Sequence, residues 1–374
     1  MPAPRWNPGR HRRGTIVTSS ETGESLWPSG ACPLPRDSDG RQVTLAHGEG
    51  GRETRRLIEN CIWRLLPRTR YSGQGGDAAR LPRPDGALAF TTDSYVVTPL
   101  FFPGGDIGEL AVYGTVNDLA VMGAVPLWLS LAFIVEEGFP MSDLEAILQS
   151  IAAAATRTEV EIVTGDTKVV PRGAADGIYL NTSGVGVFVE PIPPGPDQIQ
   201  PGDMLVVSGP IGRHGLAILA ARENLGFEPA PLSDCAPVTD LFRAVRSAGV
   251  QYRAARDATR GGVAAVCQEW ARASRTTFCL RESALPLSDE VRGASELLGL
   301  DPLFLANEGN VTWAVPPKHL TELLRVLHGT DLGRQAAVIG EVRPHQSVSV
   351  VVAGRLGRER VLEEPSGVPL PRIC

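Results

Sequence analysis

The chain has few cysteines, and no two of them stand as a close pair. Its six thiols, Cys32, Cys61, Cys235, Cys267, Cys279 and Cys374, are scattered without a Cys-x-x-Cys unit. Such spacing excludes a disulfide framework and a zinc site, and suits a reducing, cytoplasmic setting. No run of about 18 apolar residues occurs, so no membrane-spanning helix is expected. A basic excess is missing too. The 36 Lys and Arg against 42 Asp and Glu leave a net charge of −6, which argues against a nucleic-acid partner. Arg12-Arg13 has no apolar stretch behind it, so no signal peptide is expected. The phosphate-binding pattern Gly-x-x-x-x-Gly-Lys-Ser/Thr is absent, which excludes a P-loop protein.

What is present fits two domains of an ordinary globular protein: 374 residues, 43% hydrophobic and 21% charged. Residues 1–42, with Arg5, Arg10, His11, Arg12 and Arg13 before a Ser/Thr/Gly/Pro-rich stretch, read as an unstructured extension or a non-native start, with no function assigned. Patterning then predicts strands at 87–97, 127–136, 160–163 and 177–188 and a helix at 107–123. Ser142 and Glu145 form a capping box that opens a second helix running to about 158. Gly165-Asp166-Thr167-Lys168 reads as a loop leaving the third strand. Pro191, Pro193, Pro194 and Pro196 can continue neither helix nor sheet, so a linker is placed at 191–202 between domains at 43–190 and 203–362. The second domain starts on a strand at 203–208. It alternates helices (213–224, 238–248, 262–273, 317–328) with strands (276–281, 310–315, 337–342, 348–353). Both halves therefore read as α+β layers. Residues 363–374 carry Pro365, Pro369 and Pro371, which favour a stiff, extended arm ending in Cys374. A thiol there gains little from packing but can reach several pockets, and its position excludes a prenylation box.

Four aspartates stand beside small or polar residues: Asp77, Asp93, Asp118 and Asp257. Any one alone reads most simply as a cap or turn. Asp118 shares a helix face with Ala111, Thr115 and Met122, and a carboxylate on so apolar a face needs a partner or a metal. Together the four point to a hard cation such as Mg²⁺, which takes oxygen ligands and arrives with phosphates. Three Gly-rich segments could offer amides to phosphate: His47-Gly48-Glu49-Gly50-Gly51, Gly165-Asp166-Thr167 and Thr259-Arg260-Gly261-Gly262 at a helix start. Lys168 is a candidate phosphate cation or a solvated loop lysine. Glu308, after the apolar run 303–306, is a turn residue or a base whose pKa burial would raise. His47 and His214 are phosphate contacts or turn residues.

The segments LAHGEGGR (45–52), TTDSYVVTPLFFPGGDIGELA (91–111), NDLAVMGA (117–124), VTGDTKVVPRGAADG (163–177), RDATRGGVAAV (256–266), ANEG (306–309) and the final PRIC occur in an order that resembles the HypE family of hydrogenase maturation proteins. That family lies within the aminoimidazole ribonucleotide synthetase-like superfamily. The resemblance spans about 43–374. It implies an α+β fold with an ATP-binding N-terminal domain that dimerises through its sheet, a C-terminal α/β domain and a mobile tail. It implies a cytoplasmic, ATP- and Mg²⁺-dependent carbamoyl dehydratase. Cys374 would receive a carbamoyl group from HypF, and ATP would drive its dehydration to a thiocyanate. The cyano group would pass to iron on a HypC–HypD complex, becoming a ligand of a NiFe hydrogenase centre. The family's motifs match Cys374, Glu308 and Lys168 as catalytic, with Glu308 the base. Asp77, Asp118 and Asp257 match its metal ligands, with Asp93 a fourth candidate. His47, Gly48, Gly50, Gly51, Asp93, Asn117, Gly165, Asp166, Thr167, Thr259 and Arg260 match its nucleotide site. One departure stands out: Gly76 occupies a position that is usually acidic in the family. Competing readings are a superfamily kinase or synthetase acting on a free small substrate, and a scaffold without catalysis.

Overall fold

The computed structural model describes residues 42–69 and 77–364. The expectations placed on residues 1–41, on Gly76 and on the segment carrying Cys374 lie outside the described residues.

After a short 3₁₀ turn at Leu45–His47, the chain forms α1 (Arg52–Leu57), a π-turn (Ile58–Ile62) and α2 (Trp63–Leu65). The first sheet contains β1 (Leu88–Tyr95), and the hairpin β2 (Phe101–Phe102) and β3 (Gly105–Asp106) follows that strand. Next come α3 (Ile107–Val121), β4 (Ala124–Glu136), α4 (Met141–Thr158), β5 (Glu161–Val170) and β6 (Ile178–Phe188). The sheet order is β1-β6-β4-β5, antiparallel except for the β4–β5 pair. Alternation along β1 turns Ala89 and Tyr95 inward and leaves Leu88 and Phe90 outward.

Helix α3 is the centre of the molecule. Asp106 caps it, accepting the Gly108 and Glu109 amides at 2.7 and 3.1 Å. It packs on α4, β1, β4 and β6, and also on α6 and β8 of the second half described below. Nearly every side is buried, the mark of a helix enclosed between layers. Gly114 lets β1 approach, because a Cβ there would lie 2.3 Å from the Tyr95 hydroxyl. Met122, expected on the apolar face of Asp118, caps the exposed end instead.

Two local expectations are corrected. Ser142 is already inside α4, whose N-cap is Pro140, and its hydroxyl bonds Asp143 rather than a backbone amide. Gly165–Lys168 is strand, not loop: β5 continues through it alongside β4. Gly165 makes this fit, since a Cβ there would stand 2.2 Å from the Leu131 carbonyl oxygen.

The second half begins with β7 (Met204–Val207), α5 (Arg213–Arg222), α6 (Thr239–Ser247), β8 (Ala254–Asp257), α7 (Gly262–Ser274) and β9 (Thr277–Arg281). It continues with α8 (Asp289–Leu298), β10 (Val311–Val315), α9 (Pro317–His328), β11 (Ala337–Arg343), β12 (Val350–Ala353) and β13 (Glu359–Val361). These strands form one sheet, β13-β12-β9-β11-β7-β10-β8. Its two faces are both buried. Leu205, Val207 and Ala314 pack with α7 on one side, while Val206 and Trp313 pack with α6 and α9 on the other. Phe242 stacks on Trp313 at 4.6 Å and Tyr252 meets the same ring edge-on at 4.7 Å. Among the described residues, no helix is long and apolar enough to cross a membrane.

Candidate functional site

A cleft of about 670 Å³ opens where β1 and α3 meet the ends of β8 and the 303–310 segment. Asp93, Asp118, Asp257 and Glu308 all line it, with Thr259 and Arg260. The first two come from β1 and α3, the last four from the second half, so the cleft exists only because α3 packs against both. The Thr91 hydroxyl donates to Asp118 at 2.9 Å, and the Tyr95 and Thr115 hydroxyls both donate to Asp93 at 3.4 Å.

Crowding of like charges in a poorly solvated cleft raises carboxyl pKa values. Burial, with Asp257 and Asp93 nearby, pushes Asp118 up to about 8. Burial likewise pushes Asp257 up to about 6. Glu308 rises well above the usual carboxyl range, first through burial and then through Asp257, Asp234, Asp93 and Asp118. Glu308 is therefore a buried carboxyl whose ionised form would be a strong base, held beside several other carboxyl groups.

Glu308 is fixed through its backbone. The Asp234 carboxylate accepts its amide at 3.1 Å, and Asn117 Nδ2 donates to its carbonyl at 3.3 Å. Asn117 also donates to Ala236 O at 3.1 Å and accepts from the Val238 amide at 2.8 Å. With its side chain buried and engaged in this way, Asn117 is a strut beneath Glu308, not a nucleotide contact. Beside it, Asn307 accepts the Gly212 amide at 2.7 Å and donates to Ala258 O at 2.8 Å.

A second cavity, of about 350 Å³, lies between the N-terminal segment and β5. Gly48, Gly50, Gly165, Asp166 and Thr167 line its polar side, and Ile58, Trp63, Phe133 and Ile162 its apolar side. Gly48 is required for the approach, because a Cβ would meet the Val169 amide nitrogen at 2.8 Å. An apolar wall facing bare backbone suits a heteroaromatic base joined to phosphates. His47 braces this loop: its Nδ1 accepts the Thr44 amide at 3.0 Å. Gly51 is the N-cap of α1 and exposed.

Other sequence expectations divide. Gly261 and Gly262 open α7 with positive φ, and a Cβ on Gly262 would lie 2.5 Å from the Leu303 and Leu305 carbonyl oxygens. That closeness aims Thr259 and Arg260 into the acidic cleft. Lys168 is exposed on β5 opposite Ile134 and lines neither cavity. Asp77 is exposed and also lines neither. His214 is not a phosphate contact: it is buried in α5, bonded to Ser233 at 2.9 Å, and burial drops its pKa to about 3. Sequence reasoning missed Tyr179 and Asp176 on the cleft wall, and Asp234. Nothing near Asp234 in the chain signals that it touches residue 308.

Among the described residues, no three His, Cys, Asp or Glu side chains form a metal site by themselves. The donor chemistry still fits Mg²⁺. That ion commonly takes only one or two protein carboxylates and completes its shell with substrate phosphates and water. Asp118, with Asp93 beside it, offers that partial shell, and a bound cation would favour the ionised form that burial and the neighbouring carboxyls oppose.

Residues 75–188 match the AIR synthase related protein, N-terminal domain, and residues 200–353 match the AIR synthase related protein, C-terminal domain. The carbamoyl dehydratase HypE of Escherichia coli (strain K12) is 46% identical over 337 residues, 89% of this chain and 99% of that protein. A crystal structure of the hydrogenase maturation protein HypE in complex with ATP is similar at a TM-score of 0.84 and 42% identity, covering 89% of this chain and 100% of the other. The crystal structure of a HypE–HypF complex gives a TM-score of 0.72 at 42% identity, covering 83% and 99%.

Proposed function

The chain belongs to the HypE family of hydrogenase maturation proteins, and from that premise we propose that it is an ATP-dependent carbamoyl dehydratase acting on its own Cys374. The observation that carries this reading is Glu308, buried at the floor of a cleft that also holds Asp93, Asp118, Asp257 and Arg260.

The substrate is a thiocarboxamide on the Cys374 sulfur. Hydroxide is a poor leaving group, so the amide oxygen first takes the γ-phosphoryl group of ATP, releasing ADP. The nitrogen then gives up its two hydrogens as protons. Their electrons build the C≡N bond, the C–O bond breaks and phosphate leaves with that electron pair. Glu308 accepts a proton from nitrogen, a task for which its raised pKa suits it. Arg260 supplies positive charge near the phosphoryl oxygens. Asp118, Asp93 and Asp257 are the residues that would hold Mg²⁺, which when bound offsets charge on the transferring phosphoryl group. The Gly48–Gly51 loop and Gly165–Thr167 are assigned to the nucleotide. HypF is the proposed source of the carbamoyl group, and a HypC–HypD iron centre the proposed acceptor of the cyano group.

A second copy completes this reading. Leu88 and Phe90 on β1 are 58% and 69% exposed, and Ile134 on β4 is 42% exposed. An outward apolar sheet face of this kind favours a partner, and we assign it to a homodimer. Lys168, beside Ile134, then lies at the dimer face, and its charge is assigned to phosphate or carbamoyl oxygen through that assembly. Light scattering is expected to give the mass of two chains; a single-chain mass at micromolar concentration would remove this assignment.

The direct test incubates the protein with HypF, carbamoyl phosphate and ATP and weighs the C-terminal peptide. The expected result is a carbamoyl adduct on Cys374 that loses one water only with Mg²⁺-ATP. An adduct that never loses water supports the scaffold reading and makes Gly76→Asp the next variant. Steady ATP turnover after Cys374→Ala supports a kinase acting on a free substrate.

A further inference from the structure

We propose that Asp234 is the positioning residue of Glu308, holding the base in the cleft by accepting its backbone N–H. This rests on the reading of Glu308 as the base. The contact is direct, Glu308 N to Asp234 Oδ1 at 3.1 Å, and it joins residues 74 positions apart. The two segments lie flush: a Cβ on Gly309 would stand 2.0 Å from the Asp234 carbonyl oxygen, so no other residue fits there. The Ala236 amide reaches the Glu308 carbonyl at 3.4 Å, and Asn117 bonds both carbonyls from below. Residue 308 thus has its N–H and its C=O fixed by one strip, 234–236, and only its side chain is left to face the cleft.

The chemistry of that strip is unusual in one respect. Asp234 Oδ2 is buried without a hydrogen-bond partner. A carboxylate with one oxygen buried and unpartnered is costly, whereas a carboxylic acid is much less so. Burial also raises the Asp234 pKa. A neutral Asp234 accepts the Glu308 amide without adding another negative charge beside a base already crowded by Asp257, Asp93 and Asp118. Position, not charge, is then what Asp234 supplies.

Single-turnover water loss from carbamoylated Cys374 separates these roles. Asp234→Ala is expected to slow that step about 10–100-fold, the scale of a roughly 1 Å displacement of a reacting group, while ATP affinity stays at the parent value. Asp234→Asn keeps acceptor, volume and neutrality, and is expected to restore most of the rate. Because Asp234 acts through Glu308, the Asp234→Ala/Glu308→Gln double variant is expected to be no slower than Glu308→Gln alone. If Asp234→Ala does not fold, Asp234→Leu, which keeps volume without the acceptor, takes its place. The proposal is overturned if the two losses multiply, if Asp234→Asn is as slow as Asp234→Ala, or if ATP affinity falls in step with rate. A Glu308→Gln enzyme at the parent rate would instead overturn the base assignment, and this inference with it.

Discussion

Glu308→Gln is expected to reduce the rate of water loss from carbamoylated Cys374 by roughly 10²–10⁴-fold, the usual scale for losing a general base. In barrier terms that is about 3–5 kcal/mol. Glutamine keeps the size and the backbone contacts to Asp234 and Asn117, so the fold and the cleft should survive. What it removes is the ability to take a proton from nitrogen. The pH profile carries the sharper signature. Burial and the surrounding aspartates hold the Glu308 pKa well above the ordinary carboxyl value. The competent base is the ionised form, so the parent rate should climb as pH rises through that raised pKa. Glu308→Gln should lack this rising limb while ATP affinity stays unchanged. A variant that keeps the limb and loses only overall rate would assign proton transfer to another group.

Much of this site was legible in sequence, but unevenly. Helix α3 and the β4, β6 and β10 strands follow from periodicity, because each buries a face over enough residues to leave a pattern. The α8 helix went unread although Ser288 caps it and Asp289 and Glu290 fill its first turn; the flanking prolines Pro286 and Pro302 obscured those signals. β8 is four residues long, too short for any alternation to be recognised. The Gly165–Lys168 segment looked like a loop because its glycine and polar residues have low strand preference, and tertiary pairing with β4 overrides that preference. The acidic cleft was legible residue by residue, since Asp93, Asp118, Asp257 and Glu308 each carry a local oddity. Their convergence was not, and neither was the Asn117–Asp234 support of Glu308. Contacts across 74 and 191 positions leave no periodic trace in a single chain. Resemblance to a family supplied the convergence; it also assigned Asn117 to nucleotide, where the fold uses it to hold two backbone segments together.

Without nucleotide and cation, the protein is expected to lose stability as pH rises from about 4 to about 8. An unperturbed aspartate titrates near 3.9, and Asp118 in the fold is pushed up to about 8. Between those values the native state holds a proton that the unfolded chain has released. Stability is therefore greatest, for this group, below the unfolded value and falls as pH rises through the folded one. A displacement of roughly four units, discounted for the partial solvent access of the cleft, corresponds to about 3–5 kcal/mol. Asp257, raised to about 6, adds loss in the lower part of the same window. Asp118→Asn keeps an acceptor for the Thr91 hydroxyl but cannot ionise. Its urea midpoint should fall less steeply than the parent's across this range, the residual slope coming from Asp257, and should exceed the parent's at pH 8. Mg²⁺-ATP should reverse the order, because a ligand that binds only the native state raises stability in proportion to its affinity. The parent should then gain and Asp118→Asn should not. Parallel pH curves for the two proteins would mean that Asp118 is not the strained carboxyl. Opposed responses, more stable yet unable to respond to Mg²⁺-ATP, would mean that the cleft's charge is retained for ligand binding at the expense of the empty fold.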